Sequence, residues 1–268
     1  MIRQNSVKYS PESTPHAGET LLDYLESYGW TQKELAQRTD LTPKTVSEIC
    51  SGKAPISPRT ALALEKVFER PARFWLGLQR LYDEYDARRL EEASIGPWLE
   101  WAKRFPVSQM RNAGYFAHLD VTEGPVETLL RFFAVASPRS WQTVWEAANP
   151  AYRQTAKFKK SQEALSAWVR ATEVFAEYLE NQIPVSEFDS RKLRKLIPEL
   201  RRQTVNKVTD ALGVVQELCA GVGVLFVIVP ELGKTGVSGC TNWISDTKVI
   251  VALTLRHKRD DIFWFTFF

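Results

Sequence analysis

Read for its alternation of apolar and polar positions, the chain falls into three stretches of different rhythm. From Gly18 to Tyr28, Leu21, Leu22 and Leu25 share one helical face. A second short helix is predicted from Thr31 to Thr39. A third opens at Thr42-Pro43 and is closed by Gly52, and a fourth opens at Ser57-Pro58 and carries Ala61, Leu62, Leu64 and Phe68. Thr31-Gln32-Lys33-Glu34 is a capping box, in which hydroxyl and carboxylate each satisfy an orphan backbone N–H. Thr42 and Ser57 read as N-caps followed by proline at the first helical position. A fifth helix begins at Ala72 with Phe74-Trp75-Leu76, turns polar, and ends near Leu90.

From 91 to 202 the rhythm stays helical but is interrupted by Pro97, Pro106, Pro125, Pro138, Pro150, Pro184 and Pro198, which predicts several short helices. Trp98, Trp101, Trp141, Trp145 and Trp168 read as core filling. After about residue 203 the pattern changes. A helix from Thr204 to Ala220 is followed by strand-like runs at Val222 to Val229, Gly239 to Ile244 and Val249 to Leu255. Asp260-Asp261 then suit a helix N-terminus, and the aromatic run to Phe268 reads as a helix cut short. The expected fold is mainly α: a five-helix domain over 1–90, a helical middle over 91–202, and a partial α/β (α+β) domain over 203–268. Residues 1–17 read as a loose polar arm.

Composition adds limits. At 268 residues, 44% hydrophobic and 25% charged, the chain suits a soluble globular protein of about two domains. A net charge of +3 names no partner, but residues 31–80 hold nine Lys/Arg against five Asp/Glu, which suits a polyanion. Residues 151–202 hold eleven against seven, while 81–150 run the other way, seven against ten. Cys50, Cys219 and Cys240 form no C-x-x-C pair, so a disulfide framework or zinc ribbon is disfavoured and a reducing cytoplasm expected. Residues 1–10 lack an apolar signal segment and Val222 to Val229 is too short to span a bilayer; no membrane role is expected.

No catalytic signature is visible. The three glycines between Gly233 and Gly239 read as a hairpin or connecting loop, and His16, His118 and His257 have no ligand spacing. No metal site and no cofactor are expected in this chain. The basic run from Arg191 to Lys195 with Arg201-Arg202 reads as a solvated helix face, with DNA backbone or an acidic partner as alternatives.

Residues 31 to 52 carry more. Two short helices packed steeply across a tight turn need a small residue where they cross (Ala36), apolar anchors (Leu35, Val46, Ile49), and a turn residue tolerant of left-handed backbone (Asp40). Pro43, Lys44, Thr45, Ser47 and Glu48 are then left on or near the outer face of a recognition helix from Thr42 to Ser51. Gln32 can bond a phosphate beside a helix N-terminus, and Lys33 and Lys53 can neutralise phosphates. Lys44 can reach the O6/N7 edge of guanine, Thr45 can offer methyl or hydroxyl, and Glu48 can accept from cytosine N4. The plain alternative is a five-helix bundle that binds protein or nothing.

Thr31-Gln32-x-Glu34-Leu35-Ala36, Leu41-Thr42-x-Lys44-Thr45-Val46-Ser47-x-Ile49 and Gly52 resemble the phage-repressor-type (XRE) helix-turn-helix proteins. Gly29-Trp30, Ala54-Pro55-Ile56-Ser57-Pro58 and Phe74-Trp75-Leu76-Gly77-Leu78-Gln79 with Tyr82-Asp83 look like the HigA antitoxin group. His16-Ala17-Gly18 departs from that group, which usually has Pro before the Gly. The resemblance, over about 14–85, implies a lambda-repressor-like domain, a homodimer on double-stranded operator DNA, repression of its own operon, and a small toxin as possible partner. Further on, Gly221-Val222, Val237-Ser238-Gly239-Cys240-Thr241, the run Val249 to Arg256 and Asp260-Asp261-x-Phe263-Trp264-Phe265-Thr266 look like the start of the ImmA/IrrE metallopeptidase family. Its H-E-x-x-H helix would come next, so a longer form could be a zinc endopeptidase; the residues given hold no such site.

Overall fold

Five helices build the first of the two units into which the chain divides, Met1–Ile95 and Gly96–Phe268. The computed structural model describes residues 14–119, 124–146, 161–233, 235–255 and 259–268. The expected arm up to residue 13, Pro150 and His257 lie outside the described residues.

In the first unit α1 spans Ala17–Tyr28, α2 Gln32–Thr39, α3 Pro43–Cys50, α4 Pro58–Phe68, and α5 begins at Ala72. The Thr31, Thr42 and Ser57 hydroxyls accept from the backbone N–H of Glu34, Thr45 and Thr60, fixing three helix starts. Left-handed residues stop three helices: Gly29 at φ 65°, Asp40 at 55° and Glu69 at 55°. Leu21, Leu25, Leu35, Ala36, Val46, Ile49, Leu64, Phe68 and Trp75 share one core. Leu22, expected on the inner face of α1, is 39% exposed instead, because the apolar stripe runs through Leu21 and Leu25.

α5 is longer than expected. It runs Ala72–Ala102 through Pro97 rather than ending near Leu90. Pro97 leaves the Ala93 carbonyl without its helical donor, and Ala93 is exposed, so water can satisfy it.

In the second unit the stretch is broken into short helices, as the sequence predicts: α6 (Val107–Asn112) is preceded by Pro106, and α7 (Pro125–Phe133) and α8 (Pro138–Trp141) open on proline. Longer helices follow: α9 (Gln162–Glu180), α10 (Ser190–Arg202) and α11 (Val208–Ala220). Pro198 sits inside α10, again on an exposed position. The single helix expected from Thr204 is split: a 3-10 turn covers Gln203–Val205, Asn206 is extended, and α11 starts at Val208. Trp101, Trp141, Trp145 and Trp168 are buried as expected, while Trp98 is only half-buried.

Strands β1 (Val224–Ile228), β2 (Gly239–Ser245) and β3 (Lys248–Leu253) form one sheet in the order β1-β3-β2. β1 and β3 are parallel, with Val224 opposite Val249, whereas β2 and β3 are antiparallel. The glycine-bearing segment before β2 is therefore a connection and not a hairpin, since β1 and β2 are not neighbours. Val224 and Phe226 share a core with Val215 and Cys219 of α11 and Leu200 of α10. Leu225 and Val227 point to the opposite face, where α9 packs on β1 and Trp168 Nε1 donates to the Val229 carbonyl. Burial on both faces explains the unbroken apolar run of β1. The last helix, α12, spans Asp260–Phe267 and seats Phe263 and Trp264 in the same core.

Candidate nucleic-acid interface

The candidate interface grows out of how α2 and α3 are held. Leu35, Ala36, Val46 and Ile49 are all buried to within 3%. Fully burying one such leucine or isoleucine contributes roughly 1.5–3 kcal/mol. Asp40 takes the left-handed turn between the helices, and the Leu41 N–H donates to the Ala36 carbonyl across it. Glu34 receives the Thr31 backbone N–H at 2.7 Å and its hydroxyl at 2.8 Å. These bonds, the backbone one foremost, hold the Glu34 carboxyl below its usual range.

With Val46, Ile49 and Cys50 turned inward, Lys44, Ser47 and Glu48 lie outward one turn apart, and Pro43 is exposed at the first turn. Gln32 is half-buried at the start of α2, and Lys33 and Lys53 are exposed. The structure thus brings Pro43, Lys44, Ser47 and Glu48 to one surface, with Thr45 half-buried at its margin.

Two pairs of these residues are partly committed to each other. Thr42 accepts from Thr45 N–H at 3.0 Å, and the two hydroxyls are 2.8 Å apart. Thr42 therefore serves first as the cap of α3, and Thr45 keeps chiefly its methyl for an outside contact. Lys44 Nζ lies 3.8 Å from Glu48 Oε1, with side-chain exposures of 84% and 41%. An exposed i,i+4 pair of this kind is worth about 0.3–0.5 kcal/mol, so a ligand can separate it cheaply.

Two supports were not read from the sequence as such. His16 is the N-cap of α1: its Nδ1 accepts from Gly18 N–H at 2.9 Å, and its ring meets Tyr82 edge-on at 4.8 Å. A Cβ on Gly18 would stand 2.0 Å from the Ile49 carbonyl oxygen, so α1 reaches the end of α3 only with glycine there. Gln79, buried in α5, accepts from Ile56 N–H at 2.9 Å and donates to Asp83 at 2.7 Å. It ties down the segment leaving α3. The available signals were a His-x-x-Glu start at His16 and a lone amide closing the apolar run Phe74 to Leu78.

Cys50 and Cys219 are not reactive candidates. Burial pushes the Cys50 thiol up and the Cys219 thiol up to about 12, and Cys240 is half-buried. Among the described residues no group of three His, Cys, Asp or Glu side chains is placed to hold a metal ion. Nor is any helix there long and apolar enough to cross a membrane.

Two short helices with a steep turn, a buried back and an exposed front define a helix-turn-helix unit. The family model described as Helix-turn-helix matches residues 21–75. Virulence-associated protein A of Dichelobacter nodosus is 40% identical over 73 residues, 26% of this chain and 72% of that protein. The HTH-type transcriptional regulator YddM of Escherichia coli K12 is 26% identical over 80 residues, 30% of this chain and 85% of that protein. Among solved structures, Pseudomonas aeruginosa antitoxin HigA with the higBA promoter is 27% identical, covering 31% of this chain and 91% of that one at a TM-score of 0.30. The chain belongs to the helix-turn-helix family. Each of these matches covers less than a third of it.

Proposed function

We propose that this chain is a sequence-specific DNA-binding transcriptional regulator, an autorepressing antitoxin-like protein that acts as a homodimer on an inverted repeat in its own operator. The observation that carries this reading is the outward face of α3, where exposed Lys44 and Ser47 and half-buried Glu48 stand above buried Val46 and Ile49. A recognition helix needs that pairing of a rigid back and a polar, extended front. The naming of one relative, YddM, as an HTH-type transcriptional regulator supports the class.

Roles follow from the chemistry. Lys44 donates to the guanine O6/N7 edge and Glu48 accepts from cytosine N4, once their mutual pair has opened. Thr45 packs its methyl on thymine, and Pro43 and Ser47 line the groove beside it. Gln32, Lys33 and Lys53 engage phosphates and set register without reading sequence. Thr42 contributes by holding the first turn of α3. A small toxin is the further partner of this reading, held through residues 91–202; co-purification with the product of an adjacent gene tests that part.

The decisive experiment is titration of the chain with its own promoter duplex and a scrambled duplex across a salt series, alongside Lys44→Ala/Thr45→Ala. Selective binding is expected, with the promoter-to-scrambled ratio falling about 10-fold or more in the variant, since one good base contact contributes roughly 1–3 kcal/mol. Equal, weak binding of both duplexes by the wild-type chain would sink the reading.

A further inference from the structure

Among the described cations of the second unit some pair with carboxylates, while Arg111, Arg139, Lys207 and those of α10 are exposed and form no ion pair with a described residue. Lys103, Arg104, Arg170, Lys248 and Arg259 each pair with a carboxylate, on Glu100, Glu163, Glu173, Glu180 and Asp261 respectively. The cations of α10 do not. Arg191, Lys192, Arg194, Lys195 and Arg202 are all exposed, and none forms an ion pair among the described residues. The nearby Asp189 carboxylate caps α10 through Oδ1, accepting from the backbone N–H of Arg191 at 2.8 Å and Lys192 at 3.1 Å, and its charge attracts the Lys192 and Arg191 side chains without an ion pair. Arg201 is placed over the Phe268 ring at 5.7 Å.

Helical geometry sharpens the contrast. At about 100° per residue, Arg191, Lys195 and Arg202 fall within roughly 40° of one another. They lie opposite Leu193, Leu196, Ile197 and Leu200. Leu200 is buried in the core of the unit, and Leu193 and Leu196 pack against it. Ile197 lines the adjoining space with Phe188 and Trp243. The apolar face is thus spent on the unit's own core, which fixes the direction of the basic stripe.

We propose that α10 is a second, sequence-blind DNA-contact surface, its stripe of Arg191, Lys195 and Arg202 neutralising backbone phosphates of duplex DNA. This rests on the reading of the chain as a DNA-binding protein and adds a contact outside the helix-turn-helix. The stripe offers cations without apolar anchors. A protein interface gains most of its energy from a dry apolar or aromatic centre, and a membrane surface engages an apolar helix face. A phosphate backbone asks for neither, only for cations that displace its counterions.

The test uses the full chain with Arg191→Gln/Lys195→Gln/Arg202→Gln, titrated with promoter and scrambled duplexes over a salt series. Three lost phosphate contacts should lower the slope of log affinity against log salt by about 2–3, at roughly 0.9 per phosphate. The drop should be equal on both duplexes and leave their affinity ratio unchanged. Arg191→Lys/Arg202→Lys should keep the wild-type slope. An unchanged slope in the glutamine variant overturns the proposal, as does an equal loss in the lysine variant or no duplex binding by the wild-type chain. So does a variant whose DNA slope stands while binding to anionic vesicles or poly-glutamate is lost. Failure of the helix-turn-helix reading looks different: Lys44→Ala/Thr45→Ala would leave the affinity ratio intact, while the α10 slope on scrambled duplex could still be read.

Discussion

The N-terminal unit starts four of its helices on side chains that bond the first turn: His16, Thr31, Thr42 and Ser57. In the C-terminal unit α8, α9 and α10 begin on such bonds, from Ser137, Ser161 and Asp189, but α6, α7, α11 and α12 do not. What holds that unit is remote pairing. Tyr115 donates to the Pro230 carbonyl, Trp168 to that of Val229, and β1 lies beside β3 with β2 outside it. One unit is specified mainly by neighbours along the chain and the other by partners far away in it. Helices framed by their own ends can be packed tightly with a face left free, and that is what a reading surface requires.

The largest test of this division is a pair of core truncations. Leu35→Ala removes a fully buried anchor behind α2 and α3, and Phe226→Ala removes a fully buried ring from β1. The leucine should cost about 2–5 kcal/mol and the phenylalanine about 3–5 kcal/mol in urea unfolding. The promoter-to-scrambled ratio should collapse only for Leu35→Ala. Loss of selectivity in Phe226→Ala would break the comparison, since the reading surface would then depend on the second unit's core.

A smaller effect probes the caps. Thr42→Ala removes the acceptor for Thr45 N–H and the partner of its hydroxyl. It should lower stability by about 1 kcal/mol. Because α3 has only eight residues, the frayed first turn carries Pro43, Lys44 and Thr45 with it. Promoter affinity should therefore fall while the salt slope stays near wild type; Thr42→Ser should restore both. A change confined to the slope would mean that Thr42 acts on phosphate and not as a cap.

The same division explains what could be read in advance. The spacing of Thr31, Ala36, Asp40, Thr42 and Pro43 marks α2 and α3 because each residue acts on backbone within a few positions of itself. The outward placement of Lys44, Ser47 and Glu48 then follows from helical period alone. His16 escaped because histidine is not among the usual capping residues, and Gln79 because its acceptor role is met by Ile56, 23 positions away. Pro97 and Pro198 read as breaks in the sequence, yet whether a proline ends a helix depends on whether the carbonyl it strands can reach water. The order β1-β3-β2 depends on which faces α9 and α11 cover, which no local pattern carries.

The smallest effect is one of pH, and it belongs to the cap of α2. Glu34 is held below its ordinary value of 4.5, chiefly by the Thr31 backbone N–H and then by the Thr31 hydroxyl. A carboxyl depressed in the folded state binds its proton more tightly when unfolded. Its contribution is therefore complete above the unfolded value and is lost as pH falls through the lower, folded one. Glu34→Gln keeps an amide oxygen that can accept from Thr31 N–H but cannot titrate. Unfolding profiles of the two proteins should run parallel above about pH 5 and converge as acid is added below it. Parallel profiles down to pH 3 would show that the Thr31–Glu34 bonds add nothing to the charged form over the neutral one. The second helix would then rest on the Thr31 hydroxyl cap and on buried Leu35 and Ala36.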